Sequence, residues 1–235
     1  MIKTWSYSRL TVFEQCKFRA ELAYIQKIPE PERPLPKGKT EHANDRGNRI
    51  HTAAELFVKV PTGTELIPEL KTFANEFVQL RDLFKQGRVS LEEDWAIDRN
   101  WEPCAWNSDT TWGRIKLDAF VVMEDSVAVV IDYKTGKRFG NEIKHGEQGQ
   151  LYALAAFLRY PDLQKIDVEF WYLDLDEKSH ITYTRKQAMR MLDSFEKRAL
   201  AMTTCEVFPP NPNIFSCKYC PYGPAGTGHC TKGAQ

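Results

Sequence analysis

Residues 127–136 read VAVVIDYKTG: five apolar residues, then Asp132, Tyr133 and Lys134, then a Thr-Gly turn. A short run rich in Val and Ile suits a strand covered on both faces, because β-branched side chains pack well on a pleated surface. Side chains alternate along a strand, so Asp132 and Lys134 share one face. Burying an acid and an amine there is costly unless they pair or hold a metal. Taken alone, the stretch fits a strand-end salt bridge and a catalytic pair about equally well.

A strand of this kind needs neighbours, and the rest of the chain supplies them. Strand patterns appear at Val89–Ile97 and 114–123, with Glu124-Asp125-Ser126 as turn chemistry before 127–133. Two more are expected at 167–173 and 180–184, separated by DLDEKS. From 7 to 27, Leu10, Phe13, Phe18, Leu22 and Ile25 recur at roughly helical spacing, with Ser8 as the candidate cap. The segment IPEPERPLPKG then reads as an extended connector. Further helices are expected at 44–58, broken by PTGT, and at 65–84, 149–160 and 185–202. Helices, three strands, helix, two strands and helix describe an α/β (α+β) chain, a mixed central sheet flanked by helices.

The 235 residues carry 32 basic and 32 acidic side chains, so a nucleic-acid partner must be judged from local clusters rather than net charge. With 42% hydrophobic and 27% charged residues the chain is an ordinary globular one, not a disordered one. No apolar run approaches the roughly 18 residues of a membrane helix, and MIKTWSYSRL lacks a signal-peptide core. The expectation is a cytoplasmic protein with no membrane partner.

Three further features stand around the charged strand end. Asp118 sits among apolar neighbours in RIKLDAFVV, and a hairpin would lay it beside Asp132. Gly47 and His51 lie in an expected helix. Gln148 and Tyr152, at i and i+4, share one helix face. Together GNRIH, KLDAF, IDYKTG and QGQLY resemble the RecB-like branch of the PD-(D/E)XK nuclease superfamily, which includes Cas4 and AddB nuclease domains; the likeness runs from about Ser6 to Cys230.

The resemblance implies a restriction-endonuclease-like core and a metal-dependent deoxyribonuclease. It assigns His51, Asp118, Asp132 and the Tyr133 backbone carbonyl to Mg²⁺ or Mn²⁺, Lys134 to catalysis, and Gln148 and Tyr152 to support of the site and contact with DNA. Such residue types suit the reaction, since hard cations held by carboxylates activate water and offset charge on phosphate. The implied function is an exonuclease acting on DNA ends or single strands in recombination, repair or phage and mobile-element processing, with a recombination or helicase protein as a candidate partner. An endonuclease and a non-catalytic DNA-binding scaffold are the alternatives. The implied layout is one nuclease domain over 1–235: a mainly helical part at 1–90, the core at 91–204 and a Cys-rich tail at 205–235 packed on the first helix.

Six cysteines in such a chain are unsuited to disulfides, and Cys217, Cys220 and Cys230 crowd its end. With Cys16 they make four thiolates. The Cas4/AddB likeness implies a [4Fe-4S] cluster stapling the two ends, while Zn²⁺ on three Cys plus Cys16 or His229 is the alternative. Cys104 and Cys205 have no spaced partner and read as ordinary. Arg114, Lys116, Lys137, Arg138 and Lys144 are candidate phosphate contacts beside a solvated-face reading. Trp95, Trp101, Trp106 and Trp112 suit a core edge better than base stacking. Glu92 and Glu93 are weaker candidates for an outer acidic group.

Overall fold

A computed structural model describes residues 1–32, 34–60, 63–124 and 126–233. Arg33 of the expected connector, Pro61 and Thr62 of the expected helix breaker, Asp125 of the expected turn and the last two residues of the tail lie outside the described residues. The order is α1 (Tyr7–Gln15), α2 (Lys17–Tyr24), α3 (Ala43–Lys59), a 3₁₀ turn (Pro68–Phe73), α4 (Ala74–Lys85), β1 (Val89–Ile97), β2 (Pro103–Cys104), β3 (Gly113–Glu124), β4 (Val127–Lys134), α5 (Glu142–Arg159), β5 (Lys165–Tyr172), β6 (Glu177–Thr184), α6 (Arg185–Met189), α7 (Leu192–Thr203) and α8 (Ile214–Cys217). This is the expected class: a mixed six-stranded sheet, in the order β2-β1-β3-β4-β5-β6, flanked by helices. The strands β3 and β4 form an antiparallel hairpin, β4 and β5 run parallel, and β5 and β6 are antiparallel. No helix among the described residues is long and apolar enough to cross a membrane.

Several expected helices are interrupted, each for a local reason. The helix expected over 7–27 breaks at Cys16, which is extended at φ −160° and ψ 112°. Its cap is Ser6 rather than Ser8, the Ser6 hydroxyl accepting the Arg9 N–H. The helix expected at 65–84 begins as a 3₁₀ turn behind Pro68, and α5 starts at Glu142, earlier than its apolar stripe. The helix expected at 185–202 divides into α6 and α7; α6 opens on a capping box, Thr184 with Gln187.

Chain contacts divide the protein into two units, Leu35–Thr111 with Ile115–Leu192, and Met1–Pro34 with Trp112–Arg114 and Asp193–Gln235. In the first, Ile50, Ala54, Phe57 and Val58 of α3 and Phe77 and Leu80 of α4 close over Ala119, Val121, Ile131, Tyr133 and Trp171 of the sheet. Phe73 stacks on Trp171 at 5.4 Å. On the other sheet face Trp95, Phe120 and Tyr160 form an aromatic group, Phe120 and Tyr160 stacking at 4.9 Å. The helix α5 lies against β5, where Gly149 allows the close approach: a Cβ there would meet Phe170 and Val168 at 3.2–3.3 Å.

In the second unit Trp5 bridges Gly113 and packs edge-on against Trp112, whose indole N–H donates to Thr203 Oγ1 at 3.1 Å. Trp95, Trp101 and Trp112 are all buried, as expected of core tryptophans. The contact at Gly149 yields a test of the helix–sheet seam. Gly149→Leu should cost about 1–3 kcal/mol through overpacking against Phe170 and Val168. Urea unfolding followed by circular dichroism checks this, and an unchanged midpoint would refute the close packing.

Candidate active site

The hairpin register places the two acids. Ala119 pairs with Ile131, so one step further along the strands Asp118 stands opposite Asp132. Both carboxylates are buried, and each has found donors. Asp118 Oδ2 accepts the Tyr133 backbone N–H at 2.7 Å, and its Oδ1 lies 3.1 Å from His51 Nδ1. Asp132 Oδ1 accepts the Tyr152 hydroxyl at 2.6 Å. The Tyr152 hydroxyl accepts from Gln148 Nε2 at 2.5 Å, and Gln148 Oε1 accepts from Lys134 Nζ at 2.9 Å. Lys134 Nζ also stands 2.6 Å from Asp132 Oδ2, which closes a ring of four side chains. That last contact is an ion pair without hydrogen-bond alignment: buried Asp132 Oδ2 has no hydrogen bond.

Helix geometry explains the delivery of these groups. Gln148 and Tyr152 are one turn apart on α5, so both reach the end of β4. His51 arrives from α3, with its ring edge-on to Tyr133 at 5.7 Å. The guanidinium of Arg46, also on α3, bonds both Asp174 oxygens at 2.7 and 2.9 Å and the Thr135 carbonyl at 3.1 Å. It thereby ties the start of α3 to the segment that follows Lys134.

The electrostatics follow from burial. Loss of water and the neighbouring Asp132 charge push the Asp118 carboxyl up, against the opposing pull of His51 and the Tyr133 amide. For His51 burial works against the imidazolium, but Asp118, Asp132 and Glu92 outweigh it and its pKa is raised. Burial and the nearby carboxylates hold the Tyr152 phenol well above its ordinary value, so it stays a donor.

Among the described residues, the group of three ligand atoms lying within 4.8 Å of one another belongs to His51, Glu92 and Asp118. Glu92, the weaker sequence candidate, therefore joins the site, whereas Asp132 sits with Lys134, Gln148 and Tyr152. The signal for Glu92 was only an acid near the start of a strand; its backbone there is left-handed, at φ 51°, which no spacing shows. His51, Asp118, Asp132, Tyr133, Lys134, Gln148 and Tyr152 all line one cavity of about 1060 Å³. Lys116, ion-paired with Glu92 at 3.2 Å, and Lys144 line it as well; Arg138 is ion-paired with Glu177. The donor set, carboxylates with one imidazole and one carboxylate oxygen lacking any hydrogen bond, fits a hard divalent cation.

The cysteines occupy the other unit. Cys16, Cys217, Cys220 and Cys230 line one pocket. The sulfurs of Cys16 and Cys217 each accept a backbone N–H at 3.4 Å, from Asn211 and Asn213. No three of the four sulfurs lie within 4.8 Å of one another. The tail docks beside α1 and α2 through Phe18 N–H to Pro209 O, Phe13 against Phe208 and Tyr222 Oη to Ile28 O. Cys104 contacts Thr111, and Cys205 donates to Val207 O, so neither shares the pocket.

A family model described as the PD-(D/E)XK nuclease superfamily matches residues 4–225. No curated protein matches the sequence significantly. Among solved structures, the crystal structure of SSO0001 is similar at 12% identity and TM-score 0.50, over 100% of this chain and 89% of that one. The alkaline exonuclease LHK-Exo from Laribacter hongkongensis aligns at 16% identity and TM-score 0.33, over 86% of this chain and 87% of that one; its complex with dAMP gives 0.35.

One group beside the site titrates unusually. His145, on α5, contacts the Tyr172 hydroxyl at 2.9 Å and stacks on Phe170. Burial and the Lys134 charge lower its pKa to about 4 from 6.5. The unfolded chain takes up this proton below about 6.5 and the folded chain only near 4, so stability falls as pH drops through that window. In His145→Gln the slope of unfolding free energy against pH should flatten there. An unaltered slope in urea titrations between those pH values would show that His145 is not the source.

Proposed function

We propose, since the chain belongs to the PD-(D/E)XK nuclease superfamily, that it hydrolyses phosphodiester bonds in DNA with a divalent cation, as an exonuclease acting at ends. The observation that carries this reading is the buried, unbonded Asp132 Oδ2 beside Lys134, in the same cavity as His51 and Asp118. His51, Asp118, Asp132 and the Tyr133 carbonyl would hold Mg²⁺ or Mn²⁺, with Glu92 as a further ligand. The bound cation would supply an activated water and offset charge on the phosphate.

The chain's own groups do the remaining work. Lys134 presents its ammonium toward the attacked phosphate, where it orients water and stabilises negative charge. Gln148 fixes that ammonium, and Tyr152 holds Asp132 in one orientation. Lys116 and Lys144 offer phosphate contacts at the cavity. We assign a working role in recombination, repair or phage and mobile-element DNA processing on the motif resemblance alone.

End-labelled linear and circular DNA with Mn²⁺ or Mg²⁺ tests the activity. Loss of label from linear DNA only is the exonuclease result, and cut circles would indicate an endonuclease. Asp132→Ala should abolish cleavage, and Lys134→Ala should lower turnover by about 10²-fold or more with metal affinity nearly unchanged. Wild-type cleavage by Asp132→Ala would show the site to be misassigned.

For the cysteines we propose a [4Fe-4S] cluster on Cys16, Cys217, Cys220 and Cys230, acting as a structural staple. Their shared pocket and the amide hydrogen bonds to two of the sulfurs support it. A tetrahedral zinc site, with Zn–S near 2.3 Å, needs sulfurs about 3.8 Å apart. No three of the four sulfurs stand that close together. Anaerobically purified protein should be brown, and Cys16→Ala should bleach and destabilise it while Cys104→Ala does neither. Colourless protein with about one zinc per chain would replace the cluster with zinc.

A further inference from the structure

The segment joining β4 to α5 leaves the cavity at Gly136 and returns to it at Lys144. Between those two lining residues the chain turns away from the protein with its apolar side chains outward: Phe139 is 90% exposed and Ile143 is 83% exposed. The exposure is built in. Asn141 N–H closes a tight turn onto the Arg138 carbonyl at 3.0 Å, with Phe139 second and Gly140, at φ +84°, third, as a type II turn requires. Asn141 Nδ2 bonds the Lys137 carbonyl at 2.9 Å, and Gly140 N–H donates to Glu142 at 2.8 Å. Arg138 anchors the turn through Glu177 at 2.9 Å and lies over the Tyr172 ring. These bonds hold the turn that carries the ring, and the ring itself stands in water.

Exposed amines accompany it: Lys137 beside the turn, Lys144 one helical turn on, and Lys39 at the same cavity. Rings flanked by cations along a groove are how single strands are held, because every base offers a π-face and every linkage a charge. We propose that Phe139, with Ile143 four residues on, is the platform on which the unpaired nucleotides of the substrate strand stack as they enter the cavity. This rests on the nuclease reading and narrows its substrate to DNA with a single-stranded or frayed end. Stacking tolerates any base, so the platform adds affinity for unpaired strands without sequence preference.

The experiment separates the platform from the chemistry. In chelator, where no cleavage occurs, wild-type protein is titrated into a single-stranded oligonucleotide carrying 2-aminopurine. Stacking on the ring should quench its emission, Phe139→Tyr should keep the quench, and Phe139→Ala should lose it with binding weakened about tenfold. With metal present, Phe139→Ala should raise KM on single-stranded ends by a similar factor and leave kcat within about twofold. Equal quenching and equal KM in Phe139→Ala would overturn the proposal. Phe139-dependent quenching in a protein that cleaves nothing would overturn the nuclease reading and keep the platform.

Discussion

Two carboxylates at the open end of adjacent strands, both cut off from water, are the constraint on which the rest of the structure depends. Asp118 and Asp132 face each other by register, and burial together with their repulsion raises the Asp118 pKa. Such a pair persists only if donors and cations surround it. A backbone amide and His51 serve Asp118; Tyr152 and Lys134 serve Asp132. Those groups come from α3, β4 and α5, so α3, the hairpin and α5 must all be in place before the acids are tolerable. The Arg46 brace to Asp174 and Thr135 makes this dependence explicit, since it fixes α3 against the segment leaving β4.

Strand β1 shows how the fold accommodates that demand. Val89 and Leu91 face the core under α3 and α4, whereas Trp95 meets Phe120 and Tyr160 on the other sheet face. A strand that kept strict alternation could not serve both faces with odd-numbered residues. The left-handed backbone at Glu92 provides the change of parity, at a strain of about 1–3 kcal/mol for a residue with a Cβ. The Glu92 carboxylate itself lies with His51 and Asp118 in a group of possible metal ligands.

The second unit uses a different principle. After Phe208 the chain has few apolar side chains to bury, and Ile214, Phe215 and Tyr219 are all exposed. Backbone bonds and tight turns hold it instead. Gly226 is indispensable there: a Cβ at that position would sit 1.9 Å from the Pro221 carbonyl oxygen. The break between α1 and α2 at Cys16 has its counterpart in this tail, because the extended Cys16 receives the Asn211 N–H on its sulfur.

Periodicity was enough to place five of the six strands and the class of fold, because alternation and apolar runs report burial directly, whereas the two-residue β2 carries no pattern. It placed the interruptions less well. The stops at Cys16, at the 3₁₀ turn and between α6 and α7 answer to contacts and caps that a hydrophobic stripe does not carry. Of the site, Asp132, Lys134, Gln148 and Tyr152 were legible because strand and helix periods fix which side chains share a face. Their closure into one ring, the arrival of His51 at Asp118 and the part taken by Glu92 depended on distances between segments far apart in sequence. Local sequence sets which way a side chain points from its own strand or helix. Only the packing of those elements decides which side chains meet, which is why the approach of Glu92 to His51 and Asp118 could not be read from the strand pattern.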